Sequence, residues 1–213
     1  MKLWLRSFAF AFVLIPASWA TAGTLYDNGP VNDNQAAWTI NFGFQVTDTI
    51  QANGTVQGLD FWTLLIPGDT VTSVEVAIGT APFSNNVFDS FVNVTQADCF
   101  SDPFGFNICH QSTTFSGPAL NGNYWLTLEN ASTPSGDPVY WNENSGNGCT
   151  SPGCPSLAQE STVGTIPSES FTLLGTPGST TSTSTTGSTP EPASILLLGS
   201  GVLGILGILR RKL

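Results

Sequence analysis

The sequence predicts an all-β ectodomain over residues 23–175, an antiparallel β-sandwich of jelly-roll type. Residues 38–46, WTINFGFQV, alternate strictly between apolar and polar side chains, as in a strand with one buried face. About eight short apolar segments follow one another, separated by turn residues. No segment of this region combines a helical apolar period with helix caps. Short strands joined by frequent turns are typical of sandwiches.

The remaining strands can be predicted in chain order. Residues 55–66 are apolar on both faces toward their end, which is typical of a strand in the centre of a sandwich. PGDT at 67–70 predicts a turn, and residues 71–78 predict a returning strand with its branched apolar side chains on one face. Further strands are predicted at 87–95, 123–129, 139–142 and 169–175.

The N-terminal residues have the composition of a secretory signal peptide. Lys2 and Arg6 precede an apolar run over 7–15, and small residues end the segment at Ala22. The alternative is an uncleaved N-terminal anchor, but the apolar run is short for a membrane span. We therefore predict a signal peptide at residues 1–22 and export of the chain.

The charges are distributed unevenly along the chain. Fourteen of the fifteen Asp and Glu residues lie between residues 23 and 189, whereas none of the five Lys and Arg residues does. Such a surface repels phosphate backbones, so nucleic acid is excluded as a partner. Cations, and divalent cations above all, are the counter-charges that this region is expected to attract.

The four cysteines lie in the exported region, where thiols become oxidised. Four cysteines allow three pairings. We predict Cys99–Cys109 and Cys149–Cys154, because each pair brackets a short, turn-rich loop and CTSPGC holds the Pro-Gly pair of a type II turn. A zinc site is disfavoured because His110 is the one histidine and the cysteines do not form CxxC pairs.

Residues 26–35, YDNGPVNDNQ, bring several hard oxygen ligands together at a strand end. Calcium takes six to eight such ligands, which makes a calcium site one interpretation of this segment. A polar turn whose side chains bond to the local backbone is the other. The residues of the calcium hypothesis are Asp27, Asn28, Asn32 and Asp33.

Residues 139–148, VYWNENSGNG, place two aromatic rings beside polar side chains in a loop that leads to Cys149–Cys154. A flat ring with neighbouring amides is the usual shape of a sugar site, and Trp141 would be its platform. The alternative is a ring buried in the core, which is where we assign Trp38 and Trp62. The hypothetical sugar site consists of Tyr140, Trp141, Asn142, Glu143 and Asn144.

Catalysis has little support in the sequence. Glycoside hydrolysis needs two carboxylates about 5–9 Å apart, and a chain with fourteen of them supplies such a pair by chance. A Ser–His–Asp arrangement would depend on His110, which follows a disulfide cysteine in a predicted loop. We therefore predict a protein that is not an enzyme.

Two segments follow the predicted sandwich. Residues 176–189, TPGSTTSTSTTGST, are uncharged and of low complexity, which predicts a flexible linker of roughly 20 Å. Residues 190–213 begin with Pro190, Glu191 and Pro192. The uncharged run 193–209 would form a helix of about 25 Å, at the short end of what spans a bilayer. The basic residues of the tail at 210–213, which place its end in the cytoplasm, are Arg210, Arg211 and Lys212.

The Pro-Glu-Pro triplet, the short glycine-bearing apolar run and the terminal basic cluster resemble the PEP-CTERM sorting signal of exported bacterial proteins. The resemblance covers residues 189–213. It implies handling by an exosortase, a membrane transpeptidase that cuts near the triplet after transient anchoring in the inner membrane. It also implies delivery to the cell surface or to an extracellular polysaccharide matrix.

The ectodomain is also similar to a group of PEP-CTERM proteins of unassigned activity, through LYDNGPVN, YWLTLENA, YWNENSG and GTIPSESFTLLG. This similarity supplies no catalytic residue. The sequence therefore predicts a non-enzymatic surface or matrix protein. The alternative is a carbohydrate-binding module, stabilised by calcium, that contacts extracellular polysaccharide.

Overall fold

The computed structural model describes residues 22–32 and 36–178, and within these residues all regular secondary structure is β. The compact unit that contains them ends at Ser179. The strands are β1 Gly23–Asp27, β2 Ala37–Thr39, β3 Gln45–Leu65, β4 Ser73–Gly79, β5 Phe88–Asn93, β6 Thr95–Ser101, β7 Asn107–Thr114, β8 Ala119–Ser132, β9 Tyr140–Asn142, β10 Ala158–Glu160, β11 Gly164–Ile166 and β12 Phe171–Pro177.

Strand β3 is 21 residues long and belongs to both halves of the sheet. Its first half, residues 45–55, pairs with β8 on one side and with β10 on the other. Its second half pairs with β7 on one side and with β12 and then β9 on the other. The strand orders are β11–β10–β3–β8–β4–β5 in the first half and β1–β12–β3–β7–β6 in the second.

Every strand pairing is antiparallel, which confirms the predicted all-β antiparallel class. Inward-facing side chains of both halves form one core. Each large apolar side chain that is fully buried there contributes about 1.5–3 kcal/mol. Its aromatic centre joins strands of the second half, because Phe171 packs against Tyr26 and Trp141, and Trp141 packs edge-on against Phe61.

The predicted strand over 38–46 is wrong, since the chain turns in the middle of it. Phe42 and Gly43 adopt left-handed backbone conformations with φ of 58° and 86°, and the Phe44 N–H donates to the Asn41 carbonyl. The turn separates β2 from β3 and leaves the Phe42 ring 63% exposed. The alternating residues of this segment are therefore divided among the end of β2, the turn and the start of β3.

The other predicted strands overlap β3, β4, β5, β8, β9 and β12, and the predicted turn at 67–70 lies between β3 and β4. Strand β12 ends at Pro177, two residues beyond the predicted end of the domain, because Thr176 and Pro177 pair with Thr55 and Gly54. The predicted signal peptide, most of the linker and the sorting segment lie outside the described residues.

Both predicted disulfides are confirmed. Cys99–Cys109 joins β6 to β7 at an irregularity in β6 between Ala97 and Phe100. Cys149–Cys154 closes a turn in which the Cys154 N–H donates to the Ser151 carbonyl and Gly153 has φ of 82°. That φ is the one that position i+2 of a type II turn requires.

Candidate functional site

A surface pocket of about 270 Å³ opens on the outer face of the second half-sheet. Along β3, Leu59 and Phe61 point into the core, so the alternating residues Asp60 and Trp62 point outward into this pocket. We call it the Trp62 pocket; its lining residues are Asp27, Gly29, Pro30, Asp60, Trp62, His110, Phe171 and Thr172.

The Trp62 ring is part of a row of aromatic side chains across β3, β7 and β6. His110 lies directly opposite Trp62 on β7, with ring centroids 5.0 Å apart, and Phe100 of β6 lies 6.0 Å from Trp62. Cys99 and Cys109 are the chain neighbours of Phe100 and His110, so their disulfide fixes both rings beside Trp62. The assignment of Trp62 to the core is therefore wrong, because Trp62 is only partly buried and faces outward.

Asp60 and His110 face each other across the floor of the pocket. The Asp60 Oδ1 atom lies 4.0 Å from the His110 Nε2 atom, which is longer than a hydrogen bond, and the two side chains are 29% and 25% exposed. Oδ1 is shielded from solvent and accepts no hydrogen bond. One oxygen of the Asp60 carboxylate therefore has no hydrogen bond among the described residues.

The wall of the pocket is formed by the end of β1 and the chain after it. The Asp27 carboxylate accepts hydrogen bonds from the Gly29 N–H at 2.9 Å and the Thr150 hydroxyl at 2.7 Å. Gly29 has φ of 94°, and a Cβ there would collide with the backbone of Asn147 and Cys149. The loop closed by Cys149–Cys154 is thus packed directly behind this wall.

The pocket combines a broad aromatic face, an imidazole and an acceptor-rich carboxylate. Such a set can hold a polar ring by stacking and by accepting its hydrogen bonds. The described residues contain no Lys or Arg, so the pocket offers no fixed cation to an anionic ligand. Its chemistry suits a neutral or positively charged polar ligand.

The sugar platform predicted at Tyr140–Asn144 is not formed. Trp141 is fully buried in the core and its indole N–H donates to the Ser170 carbonyl, so its ring cannot stack on a surface ligand. Asn142 and Asn144 are also fully buried, and Glu143 nearly so. Of the two tryptophans that were predicted in the core, Trp38 does pack against it, and its indole N–H donates to Glu143. Trp62 instead lies at the surface.

The predicted calcium ligands lie in different surroundings. Asn28 is fully buried, and its amide bonds to Ser156 and to the Glu169 carbonyl. Asn32 donates to the Asn144 carbonyl, and Asp33 lies outside the described residues. Within the described part of the chain, His, Cys, Asp and Glu side chains do not form a group of three or more that could hold a metal.

A group of buried carboxyls lies beneath the loop closed by Cys149–Cys154. Asp48 accepts hydrogen bonds from the Ser156 hydroxyl and the Glu169 N–H, and burial raises its pKa to about 7 against these two opposing bonds. Burial, and then the charges of Asp48 and Glu143, raise the pKa of Glu169 well above its usual range. Neither Asp48 nor Glu169 is exposed, so neither can meet a ligand from solvent.

The pocket residues were missed in the sequence because residues 55–66 are apolar on both faces near their end. At residues 60–62 the inward-facing Phe61 lies between the outward-facing Asp60 and Trp62. The many apolar residues around them in the strand obscure this alternation. A signal was available, because an aspartate at position 60 of an otherwise apolar strand marks its solvent face.

The sorting residues Pro190, Glu191 and Pro192 and the basic residues at 210–212 lie outside the described residues. The apolar run 193–209, predicted as a transmembrane helix, does so as well. Among the described residues no helix is long and apolar enough to cross a membrane.

The C-terminus of the chain matches a known family model. The model of the PEP-CTERM protein-sorting motif matches residues 188–212, which are the residues that carry the Pro-Glu-Pro triplet, the apolar run and the basic cluster. No curated protein matches the chain. The motif implies export, membrane-anchored transit and cleavage, with an exosortase as the processing partner. The chain therefore carries a PEP-CTERM sorting signal and is an exported protein of the exosortase pathway.

Proposed function

We propose that this protein is a non-enzymatic component of the cell surface or extracellular matrix that binds matrix polysaccharide through the Trp62 pocket. The sorting motif supplies the route out of the cell. The observation that carries the binding role is the outward Trp62 ring, which lines a pocket together with Asp60 and His110.

The hydrogen bonds and burial of the carboxyl groups favour a binding role over a catalytic one. Glycoside hydrolysis uses one carboxyl as a general acid and a second as a base or nucleophile. In the Trp62 pocket, Asp27 is held at both oxygens by donors of its own chain, including Thr150 and Thr172. The carboxyls with raised pKa values, Asp48 and Glu169, are sealed in the interior. These arrangements support retention of a polysaccharide rather than its cleavage.

Co-sedimentation of the full chain, purified in detergent, with extracellular polysaccharide of the producing bacterium tests this proposal. We expect Trp62→Ala to weaken binding about tenfold, which corresponds to about 1.4 kcal/mol. Trp62→Phe retains a ring and should bind at an intermediate level. Phe42→Ala removes a ring of similar size that is 63% exposed outside the pocket, and it should bind like the wild type.

Two results would contradict the proposal. Equal binding by the wild type and Trp62→Ala, with both folded, would remove the pocket from the function. Release of new reducing ends from the polysaccharide during prolonged incubation, lost in Asp60→Asn, would show an enzyme instead of a binding protein.

A further inference from the structure

We infer that the saccharide unit held in the Trp62 pocket is an amino sugar with a free, positively charged amine. This inference rests on the proposed polysaccharide-binding function and adds the chemical class of the ligand. Its basis is the combination of an aromatic face with two carboxylates, near which the described residues place His110 but no Lys or Arg.

The charges around the pocket exclude acidic sugars. Asp27 and Asp60 both line it, and the described residues contain no Lys or Arg that would offset them. A uronic acid or sulfated sugar would bring a second negative charge close to these carboxylates, at a cost that the low dielectric of a pocket increases. A cationic group gains from the same field.

The geometry of Asp60 favours a charged donor over a neutral hydroxyl. Its Oδ1 atom accepts no hydrogen bond, and the His110 Nε2 atom lies 4.0 Å from it. The carboxylate is nevertheless 29% exposed, so a ligand can approach its open edge. An ammonium group at that edge would form a charge-assisted hydrogen bond, which is about twice as strong as a neutral one.

The Trp62 ring contributes to the same selection. A cation placed over a tryptophan face is attracted by the electrons of the ring, and tryptophan is the best side chain for this interaction. Trp62 and Asp60 stand two residues apart on the same face of β3, so one bound sugar ring can contact both. A neutral hexose would use the stacking surface of Trp62 but would gain no attraction between opposite charges from Asp60.

Calorimetric titration of the full chain with two hexamers of matched length tests the inference. One is a glucosamine hexamer, with free amines, and the other is an N-acetylglucosamine hexamer, in which the amines are acylated and neutral. We expect the glucosamine hexamer to bind at least about tenfold more tightly at low salt and to lose this advantage as salt is added.

Three variants separate the contributions. Asp60→Asn keeps the size of the side chain but removes its charge, so we expect it to weaken glucosamine binding about tenfold and N-acetylglucosamine binding by clearly less. Trp62→Ala should weaken both ligands. Asp98→Asn removes an exposed carboxylate that does not line the pocket and should change neither, which controls for attraction to the acidic surface as a whole.

Each contrary result has a distinct meaning. If both hexamers bind equally and both depend on Trp62, the amine preference is overturned and the proposed polysaccharide-binding function stands. If Asp60→Asn and Asp98→Asn weaken glucosamine binding alike, the attraction is not located in the pocket and the inference fails. If hexalysine binds as tightly as the glucosamine hexamer with the same dependence on Asp60, the pocket recognises a basic peptide and the amino-sugar assignment is wrong.

Discussion

At the scale of single residues, Asp48 and Glu169 are held in the interior next to each other, with no Lys or Arg in the described part of the chain to neutralise them. The Glu169 carboxyl oxygens and Asp48 Oδ2 accept no hydrogen bond. An ionised carboxylate in such a position is costly, so the proton is the counter-charge available to these groups. The folded domain consequently binds protons that the unfolded chain releases.

We expect the domain to become less stable as the pH rises. Burial raises the pKa of Asp48 from 3.8 to about 7 and raises that of Glu169 well above 4.5. A group whose pKa is higher in the folded state stabilises fully below its unfolded pKa, and this stabilisation is lost as the pH rises through its folded pKa. For Asp48 this window runs from about pH 4 to about pH 7, and thermal unfolding across it measures the loss.

The variant Asp48→Asn isolates this contribution, because an amide does not ionise. Its melting temperature should fall less between pH 4 and pH 7 than that of the wild type. The corresponding difference in unfolding free energy is on the order of 1.4 kcal/mol per unit of pKa shift removed. Asp98→Asn, at an exposed position, is the comparison for a lost surface charge. A wild-type melting temperature that rises over this window would contradict the assignment.

Single residues also show where prediction from sequence succeeds and fails. The cysteine pairs could be predicted because short spacing and a Pro-Gly turn limit the pairings. The two tryptophans Trp62 and Trp141 could not be sorted into surface and core, because local composition does not show which strand face each ring occupies. Trp141 is in the core because β9 pairs with the end of β3. This pairing joins Thr63 to Trp141, which lie far apart in the sequence, so it is determined only by the fold.

At the scale of elements, the long strand β3 organises the fold because both halves of the sheet are built on it. Its apolar residues predicted the strand only over 55–66, and residues 47–54 were not predicted as a strand. The three-residue strands β2, β9, β10 and β11 are too short to show a period. Strand β6 could not be predicted because most of its side chains are exposed, so it lacks an apolar face.

The Cys99–Cys109 bridge is an element-scale feature, since it links the exposed edge strand β6 to β7. We expect the double variant Cys99→Ser/Cys109→Ser to lose about 2–3 kcal/mol of unfolding free energy, because the loop it closes is short. Urea denaturation measures this loss. The domain should remain folded, while Phe100 and His110 lose their fixed positions beside Trp62.

The double variant Cys149→Ser/Cys154→Ser is the matched control for this prediction. It opens a still shorter loop and should cost about 2 kcal/mol by the same reasoning. Because that loop lies behind Asp27 rather than beside Trp62, its loss should affect saccharide binding less than loss of Cys99–Cys109. A complete loss of folding in either double variant would show that the core alone does not stabilise the domain.

At the scale of the whole molecule, the domain is an acidic body that carries no fixed positive charge in its described residues apart from what His110 can supply. Repulsion among the carboxylates opposes the compact state. We expect added sodium chloride to raise the melting temperature as the Debye length falls from about 30 Å at 0.01 M to about 8 Å at 0.15 M. A melting temperature that does not change with salt, measured at constant pH, would show that this repulsion is negligible.

The charge distribution also distinguishes the β domain from the two terminal segments, which are predicted to direct its export and sorting. All five Lys and Arg residues lie in the terminal segments, at 2, 6 and 210–212. The C-terminal group belongs to the matched sorting motif. Glu191 is the charged centre of the Pro-Glu-Pro triplet, so we expect Glu191→Ala to retain the protein in the inner membrane, as cell fractionation would show. The β domain should fold as in the wild type, because it ends before the triplet.

The most direct test of the account is the intact mass of the protein recovered from its native host. Trypsin has no Lys or Arg to cut between Arg6 and Arg210, so the C-terminus must be found from the undigested chain. We expect a mature chain that ends near Pro190, in the surface or matrix fraction and with both disulfides formed. A mass that includes every residue through Leu213, unmodified and confined to the inner membrane, would contradict sorting by an exosortase.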